Sequence, residues 1–540
     1  MKNTTALARH VAAATLPLAL LACGGGSDSP TTTTPTALSI SGTAATRAAL
    51  VGGQVEVKCA AGNGSTTTLA DGSYTVTLSG ASLPCMMRVT TGSAELYSLS
   101  EDNGGSVVRA NITPFTSLVA SQIVGGNLKN VYDAFQPSEQ TKITAATVAS
   151  AITAVTDALK GVVDLSGVNP LTATFVIGDP LDKQLDAFTA ALDKAGTTLG
   201  EVTDTLAGGG SAATQTLLQP VASTCAGLRS GRYRAINPNE TDPQWANHVF
   251  QLDAGTLKAT FWDGSINTLL DNGGCSFTVD TTQLLVSKSG LTVARDTPTG
   301  GQTEATLILP EQTIALSELA GTWNSMGYAR DAAGAALHPT AATYTLDAAG
   351  KFSNGADCAG LAACTTWSAT PGDLKASSNG GFEYTDASGA THRVFAFQTA
   401  DGLMLVRLRP NQTGFSVATK QVALSLPAVG TVNNVWDFTL NGSGYASALD
   451  EMTITVTAVD SATQSYTRQR ASNGRIDSFT QNTPRDGLRY RAAGTSPTNS
   501  GGTVSFSEII AMPLPKSVGL TVYTSVAANQ NFFGLSIARP

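Results

Sequence analysis

The chain has 540 residues, a formal net charge of −8, only 13% charged residues and 54 glycines. A chain this acidic lacks the clustered Lys and Arg on which binding of a nucleic-acid backbone rests, so nucleic acid is excluded as a partner. The length exceeds one ordinary core and implies three or more domains, and the abundance of Thr, Ser and Ala suits strands with a wet outer face.

Met1-Lys2-Asn3, with Arg9 and His10 following, is a short positive start, and Val11–Leu21 is then apolar apart from Pro17. The run is too short to span a bilayer, which takes about 20 apolar residues, and the pattern is that of a secretory signal. It ends in Leu20-Leu21-Ala22-Cys23, which resembles the lipobox of bacterial lipoproteins. The resemblance implies that residues 1–22 are removed and that Cys23 becomes the first mature residue, carrying diacylglycerol and palmitate. Ala22 is small enough for the signal peptidase, and the thiol accepts the lipid. The membrane is therefore an expected partner through Cys23, and Gly24 in place of Asp implies the outer membrane under that family's sorting rules. Residues 23–36, rich in Gly, Ser, Thr and Pro, cannot bury apolar surface and read as a flexible tether. After the signal, no apolar run reaches transmembrane length.

Residues 37–112 alternate apolar and polar side chains in Leu38–Ser41, Gln54–Cys59, Ser73–Leu78 and Cys85–Val89, with Asn63-Gly64 and Asp71-Gly72 as turns between them. The spacing predicts a small antiparallel β-sandwich. Gly53-Gln54-Val55-Glu56-Val57 followed by Thr67-Thr68-Leu69-Ala70-Asp71-Gly72-Ser73-Tyr74-Thr75-Val76 resembles the carboxypeptidase regulatory-like module, a transthyretin-like sandwich. That module is non-catalytic, which implies a spacer or binding unit here.

Residues 113–206 change period. Thr113-Pro114 suits a helix start, Ile143, Val148, Ile152, Val155 and Leu159 fall on one helical face, and Leu181, Leu185, Phe188 and Leu192 on another. Glu201–Leu206 reads as a short third piece, making a small helical domain. A sandwich followed by Asn-Ile-Thr-Pro and a helical unit resembles the front half of a group of uncharacterised proteobacterial lipoproteins. Gly208-Gly209-Gly210-Ser211 reads as a linker, over residues 207–221.

The remainder reads as tandem antiparallel β units, barrel- or meander-like, at 222–316, 317–425 and 426–540, because segments repeat in order. Ser230-Gly231-Arg232-Tyr233 matches Ala320-Gly321-Thr322-Trp323, Phe250–Gly255 matches Tyr344–Gly350, and Ser289–Arg295 matches Asp401–Arg407. A fainter third copy begins at Asn434-Val435-Trp436-Asp437 and continues at Asp486–Arg491. Gly321-Thr322-Trp323 also resembles the Gly-x-Trp opening of lipocalin-type barrels, in which the Trp plugs the closed end and the interior holds a small apolar ligand.

There are seven cysteines, and setting Cys23 aside leaves six, an even number suited to an oxidising compartment. Locality pairs Cys59 with Cys85, Cys225 with Cys275, and Cys358 with Cys364, out of fifteen formal connectivities. Zinc ligation is disfavoured because no pair has the two-residue spacing of such sites, and no metal or cofactor is expected.

Catalytic signatures are lacking: no His-Glu-x-x-His, Gly-x-Ser-x-Gly, Ser-x-x-Lys, Walker or dinucleotide motif occurs, and no catalytic residue is assigned. His392 alternates within a strand and suits a solvent face or cross-strand position better than a base. Trp323, Arg489 and Arg491 are carried as candidate ligand contacts: an exposed Trp stacks sugars, and Arg468, Arg470, Arg475, Arg485, Arg489 and Arg491 are suited to an anionic glycan or lipid head group. The alternatives are a buried barrel Trp and a solvated arginine face. Three functions stay open. The leading one is a non-enzymatic envelope or surface binding protein whose ligand is a glycan or lipid; the others are a cell-surface hydrolase of polysaccharide or peptide, and a purely structural envelope protein.

Overall fold

The structure is a computed structural model that describes residues 37–540 apart from 93, 126, 238–246, 333, 411–412 and 527–529. The signal, Cys23 and the tether lie outside the described residues, as does Trp245.

The chain opens on two small sheets sharing one core. The first runs Ser73–Leu78, Leu38–Thr43, Val107–Arg109, and the second Asn63–Thr67, Gln54–Ala61, Ser82–Thr90, Glu95–Ser100. Alternation puts Val55, Val57 and Cys59 inward from Gln54–Ala61, against Ile40, Val76, Met87 and Val89. Cys59 lies directly opposite Cys85 in the ladder, and the two are disulfide-bonded.

Six helices follow: Pro114–Val124, Leu128–Ala134, Pro137–Gln140, Ala145–Ala158, Pro180–Ala195 and Leu199–Leu217. Thr113 caps the first, its side chain accepting from the Thr116 amide, with Pro114 in the first turn. Phe115, Leu118, Val148, Val155, Leu185, Phe188 and Val202 form their core. The helical unit is tied to the sandwich where the Thr116 hydroxyl donates to the Tyr97 carbonyl at 2.8 Å.

The expected linker is not one. Gly208–Ser211 lies inside the helix Leu199–Leu217, which breaks only at Gly210, where φ is +66°. The glycines are needed for close approach: a Cβ on Gly208 would sit 2.1 Å from the Ala400 carbonyl oxygen, and one on Gly209 2.4 Å from that of Thr399. The helix therefore packs its backbone onto the second β unit, and Gln312 clamps the contact by donating to Thr216 and to the Gln398 carbonyl.

The three β units share one plan. In the first, a nine-stranded meander from Gly231–Ile236 to Glu304–Pro310 pairs its first strand with its last and leaves a seam between Ile266–Thr268 and Leu270–Gly273. The second repeats this order strand for strand, from Gly321–Ala329 to Gly414–Lys420, with its seam between Thr365–Thr366 and Lys375–Ala376. The third is a closed barrel of eight strands: Val432–Leu440, Asp450–Asp460, Ser465–Arg470, Ile476–Gln481, Arg489–Arg491, Ile509–Pro513, Leu520–Ser525 and Phe533–Ala538. A hairpin, Gly494–Pro497 with Thr503–Phe506, is inserted after its fifth strand.

The repeated segments of the first two units fall on equivalent first, second and penultimate strands. In the third copy one match is corrected. Asp486–Arg491 runs into the fifth strand, whereas the penultimate strand carries Gly519-Leu520-Thr521-Val522, against Gly290-Leu291-Thr292-Val293 in the first unit. The units are not beads on a string, because their outer walls meet in one core. Leu285 and Val293 of the first join Met326, Tyr328 and Phe415 of the second and Trp436, Phe533 and Leu535 of the third. Cys225–Cys275 and Cys358–Cys364 are bonded within the first and second units.

Candidate functional site

In the second unit, side chains that alternate away from the shared core line a lumen. One end is apolar. Trp323 is fully buried there with Leu346, Phe352, Leu403 and Leu405, and its indole donates to the Leu319 carbonyl at 3.0 Å. Trp323 is thus a plug with no surface to offer a ligand, which corrects its candidacy as a contact. The glycine before it, Gly321, starts the strand that delivers the ring.

Towards the other end the lumen becomes polar and opens into a cavity of about 180 Å³ lined by Ser325, Asp357, Trp367, Tyr384, Asp386, His392, Arg407 and Arg409. Strand alternation explains the set: Leu403, Leu405 and Arg407 point inward from one strand, and His392 and Val394 from its neighbour. Arg407 donates from Nε to Ser416 at 2.9 Å and from a terminal nitrogen to the Tyr384 hydroxyl at 3.0 Å, so its bonds go to neutral groups. The Arg409 Nε is buried without a partner. Trp367 donates to Asp357 at 3.0 Å, its ring laid against Gly355, where a Cβ would fall 1.9 Å from the indole.

His392 is buried, and of the two expected placements it takes the cross-strand one, opposite Tyr384, and not the solvent face. Its ring stacks on Tyr384 with centroids 4.7 Å apart, and its Nε2 donates to Asp386 at 2.9 Å. The carboxylate fixes the Nε2–H tautomer and leaves Nδ1, buried and without a partner, as a bare acceptor. Burial pushes the His392 pKa down to about 4, helped by the charges of Arg407 and Arg409 and opposed by Asp386. Burial works against the Asp386 carboxylate, yet hydrogen bonds from Ser388, His392 and the Ala390 amide hold it well below the usual range. The ring is neutral at physiological pH, and a neutral imidazole on a carboxylate resembles a base. A base needs a nucleophile, however, and among the described residues none hydrogen-bonds Nδ1.

A stability prediction follows from that ring. His392 titrates near 6.5 when unfolded and near 4 when folded, so its contribution is present above 6.5 and is lost as pH falls through that window. The full swing is on the order of 3 kcal/mol. The melting temperature should therefore drop between pH 6.5 and 4, and His392→Gln should flatten that segment; an unaltered slope in the variant would remove His392 as the cause.

Arg489 and Arg491 do not lie at this cavity, nor on an outer wall. Both point into the lumen of the C-terminal barrel, where Arg489 donates to the Tyr466 hydroxyl at 2.8 Å and Arg491 to Asp477 at 3.2 Å. Arg491 is only 6% exposed. The solvated face and the direct lipid contact are both corrected: strands whose outer wall is buried turn their charged side chains inward. Trp262, in contrast, is 42% exposed and stacks on His248 at 4.2 Å. Tyr384, Asp386, Arg407 and Arg409 were missed by sequence reasoning; the signal that points to them is the pair Arg407 and Arg409, two charges at i, i+2 in an otherwise apolar strand.

No known protein family matches the sequence, and no curated protein matches it. Among solved structures, the chain is similar to a protein of unknown function of the DUF3598 family from Nostoc punctiforme, at 9% identity over 42% of this chain and 99% of that one, with a TM-score of 0.15. It is also similar to isotype 1 transferrin binding protein B from serogroup B Neisseria meningitidis, at 11% identity over 57% of this chain and 62% of that one, TM-score 0.20. A mutant transferrin binding protein B from Haemophilus parasuis gives 9% identity over 54% and 65%, TM-score 0.20. This chain thus spans less than two thirds of either transferrin binding protein B, and at such scores the likeness carries no argument.

Proposed function

We propose that the chain is an exported lipoprotein, anchored to the cell envelope through Cys23, whose β head binds a small acid-ended molecule in the lumen of the second unit. The observation that carries the binding role is the pair Arg407 and Arg409, facing a cavity of about 180 Å³ with their bonds made to neutral groups or unmade. A carboxylate or sulfonate would complete them with charge-assisted hydrogen bonds, and Ala341, Ala342, Pro371 and the Trp367 ring, which line the same cavity, would face a short hydrocarbon or aryl end. The sandwich, similar to the carboxypeptidase regulatory-like module, and the helical unit form a stalk in this reading. Three disulfides suit an extracytoplasmic protein. A hydrolase is disfavoured because His392 has no nucleophile bonded to it among the described residues.

The test is a titration of the full chain in detergent with phenylacetate and octanoate, followed by the fluorescence of Trp367. A saturable change is expected, weaker by about 10- to 100-fold in Arg407→Gln. Equal responses to phenylacetate and phenylacetamide would reject an acid site. Cys23→Ser should move the chain from the membrane fraction to the soluble one; unchanged partition would reject the anchor.

A further inference from the structure

The C-terminal barrel has a lumen of unusual charge. Tyr466, Arg468 and Arg470 alternate inward from the third strand, Asp477, Phe479 and Gln481 from the fourth, and Arg489 and Arg491 from the fifth. Asp437 of the first strand meets Tyr523 of the seventh across the lumen, accepting from its hydroxyl at 2.5 Å. Arg475 closes the same end. Asp477, with its side chain 1% exposed, accepts from Arg468 and Arg475 at 2.6 Å each and from Arg491 at 3.2 Å. Asp450, exposed at the rim, lies 3.8 Å from Arg470.

Five guanidiniums, of Arg468, Arg470, Arg475, Arg489 and Arg491, are thus set against three carboxylates, of Asp437, Asp450 and Asp477, an excess of two positive charges. Aromatic rings cover their faces: Phe479 lies under Arg468, Arg489 and Arg491, and Phe506 of the inserted hairpin under Arg475 and Arg491. Rings satisfy a guanidinium face but neither its charge nor its in-plane donors. The Nε groups of Arg470, Arg475, Arg489 and Arg491 are all buried without an acceptor. Uncompensated buried charge and unmet donors are both costly, and one multivalent anion removes both costs at once.

We propose that this lumen binds a small doubly charged oxyanion, of the phosphate or sulfate class, held by Arg470, Arg475, Arg489 and Arg491 beneath the hairpin Gly494–Phe506. Two charges match the excess, and the several oxygens of a tetrahedral anion supply acceptors for the four unmet Nε donors. The donors line the lumen and not the outer wall, so the anion is a soluble one and not a head group held in a bilayer. The residues are separate from those of the second unit's cavity, so this inference stands or falls independently of the ligand proposed there.

The experiment is isothermal titration of the full chain in detergent with inorganic phosphate at constant ionic strength. Calorimetry is used because phosphate raises melting temperatures non-specifically by surface exclusion, an effect that does not saturate at one equivalent. The expected result is a saturable site at one equivalent, weakened about tenfold or more in Arg470→Gln/Arg489→Gln and unchanged in Lys258→Gln, an exposed cation outside both lumens. A flat titration of the unaltered protein overturns the proposal whether or not the variant folds. Equal binding by the double variant also overturns it. Vesicles of phosphatidylglycerol serve as the lipid arm: capture of the Cys23→Ser chain by vesicles, with no heat from free phosphate, assigns the arginines to a membrane surface and overturns the soluble anion.

Discussion

Asp477→Asn is expected to destabilise the β head by about 3–5 kcal/mol, the usual cost of removing one partner from a buried ion pair. The substitution keeps shape and volume, so the loss is one of charge. Three guanidiniums, each with a side chain no more than 14% exposed, lose their shared acceptor. The effect carries its own control in pH. Burial opposes ionisation of Asp477, but Arg468, Arg491 and Arg475 hold its pKa down to about 2. A depressed carboxylate contributes stability above its unfolded value near 4 and loses it as pH falls through the folded value. The gap between parent and variant in urea midpoint should therefore be full at pH 6 and shrink between pH 4 and 2. Midpoints that coincide at pH 6 would show that the network contributes nothing net.

The second large effect concerns Cys225–Cys275, which closes a 50-residue separation, against 6 for Cys358–Cys364. In the chain-entropy account the longer loop is worth about 4 kcal/mol and the shorter about 2. Replacing both cysteines of the longer loop by Ala should lower the urea midpoint about twice as far as the same change in the shorter one. The reverse order would mean that native-state contacts, and not loop entropy, set the ranking.

These features were unequally legible beforehand. The cysteine pairs followed from locality, since each lies within one unit. The repeat was visible because equivalent strands begin alike, as Gly231 and Gly321 do, and Thr113-Pro114 announced its helix through capping chemistry that needs no tertiary partner. What stayed hidden is which face of a strand meets water. Alternation divides Tyr466, Arg468 and Arg470 from their neighbours, and charge then normally means solvent. The rule reverses here because Trp436, Leu520, Leu535 and Ile537 commit part of the barrel's outer wall to the shared core. His392 takes the cross-strand alternative, opposite Tyr384, and what the sequence left open was that this face is buried. Gly208-Gly209-Gly210 failed differently: a glycine run reads as freedom, and only the nearby Thr399 and Ala400 carbonyls make it a demand for closeness.

The pairing of first with last strand in all three units has a consequence for biogenesis. A nascent chain emerges amino end first, so Gly231–Ile236 waits for Glu304–Pro310, and Val432–Leu440 for Phe533–Ala538, each with an unsatisfied edge in the meantime. No unit can shut before nearly all of it has been made, and the common core assembles only when the third arrives. Such late-closing topologies fold slowly and leave sticky edges exposed. Folding of this protein is thus a race between completion and aggregation, decided by how long the open strands stay exposed.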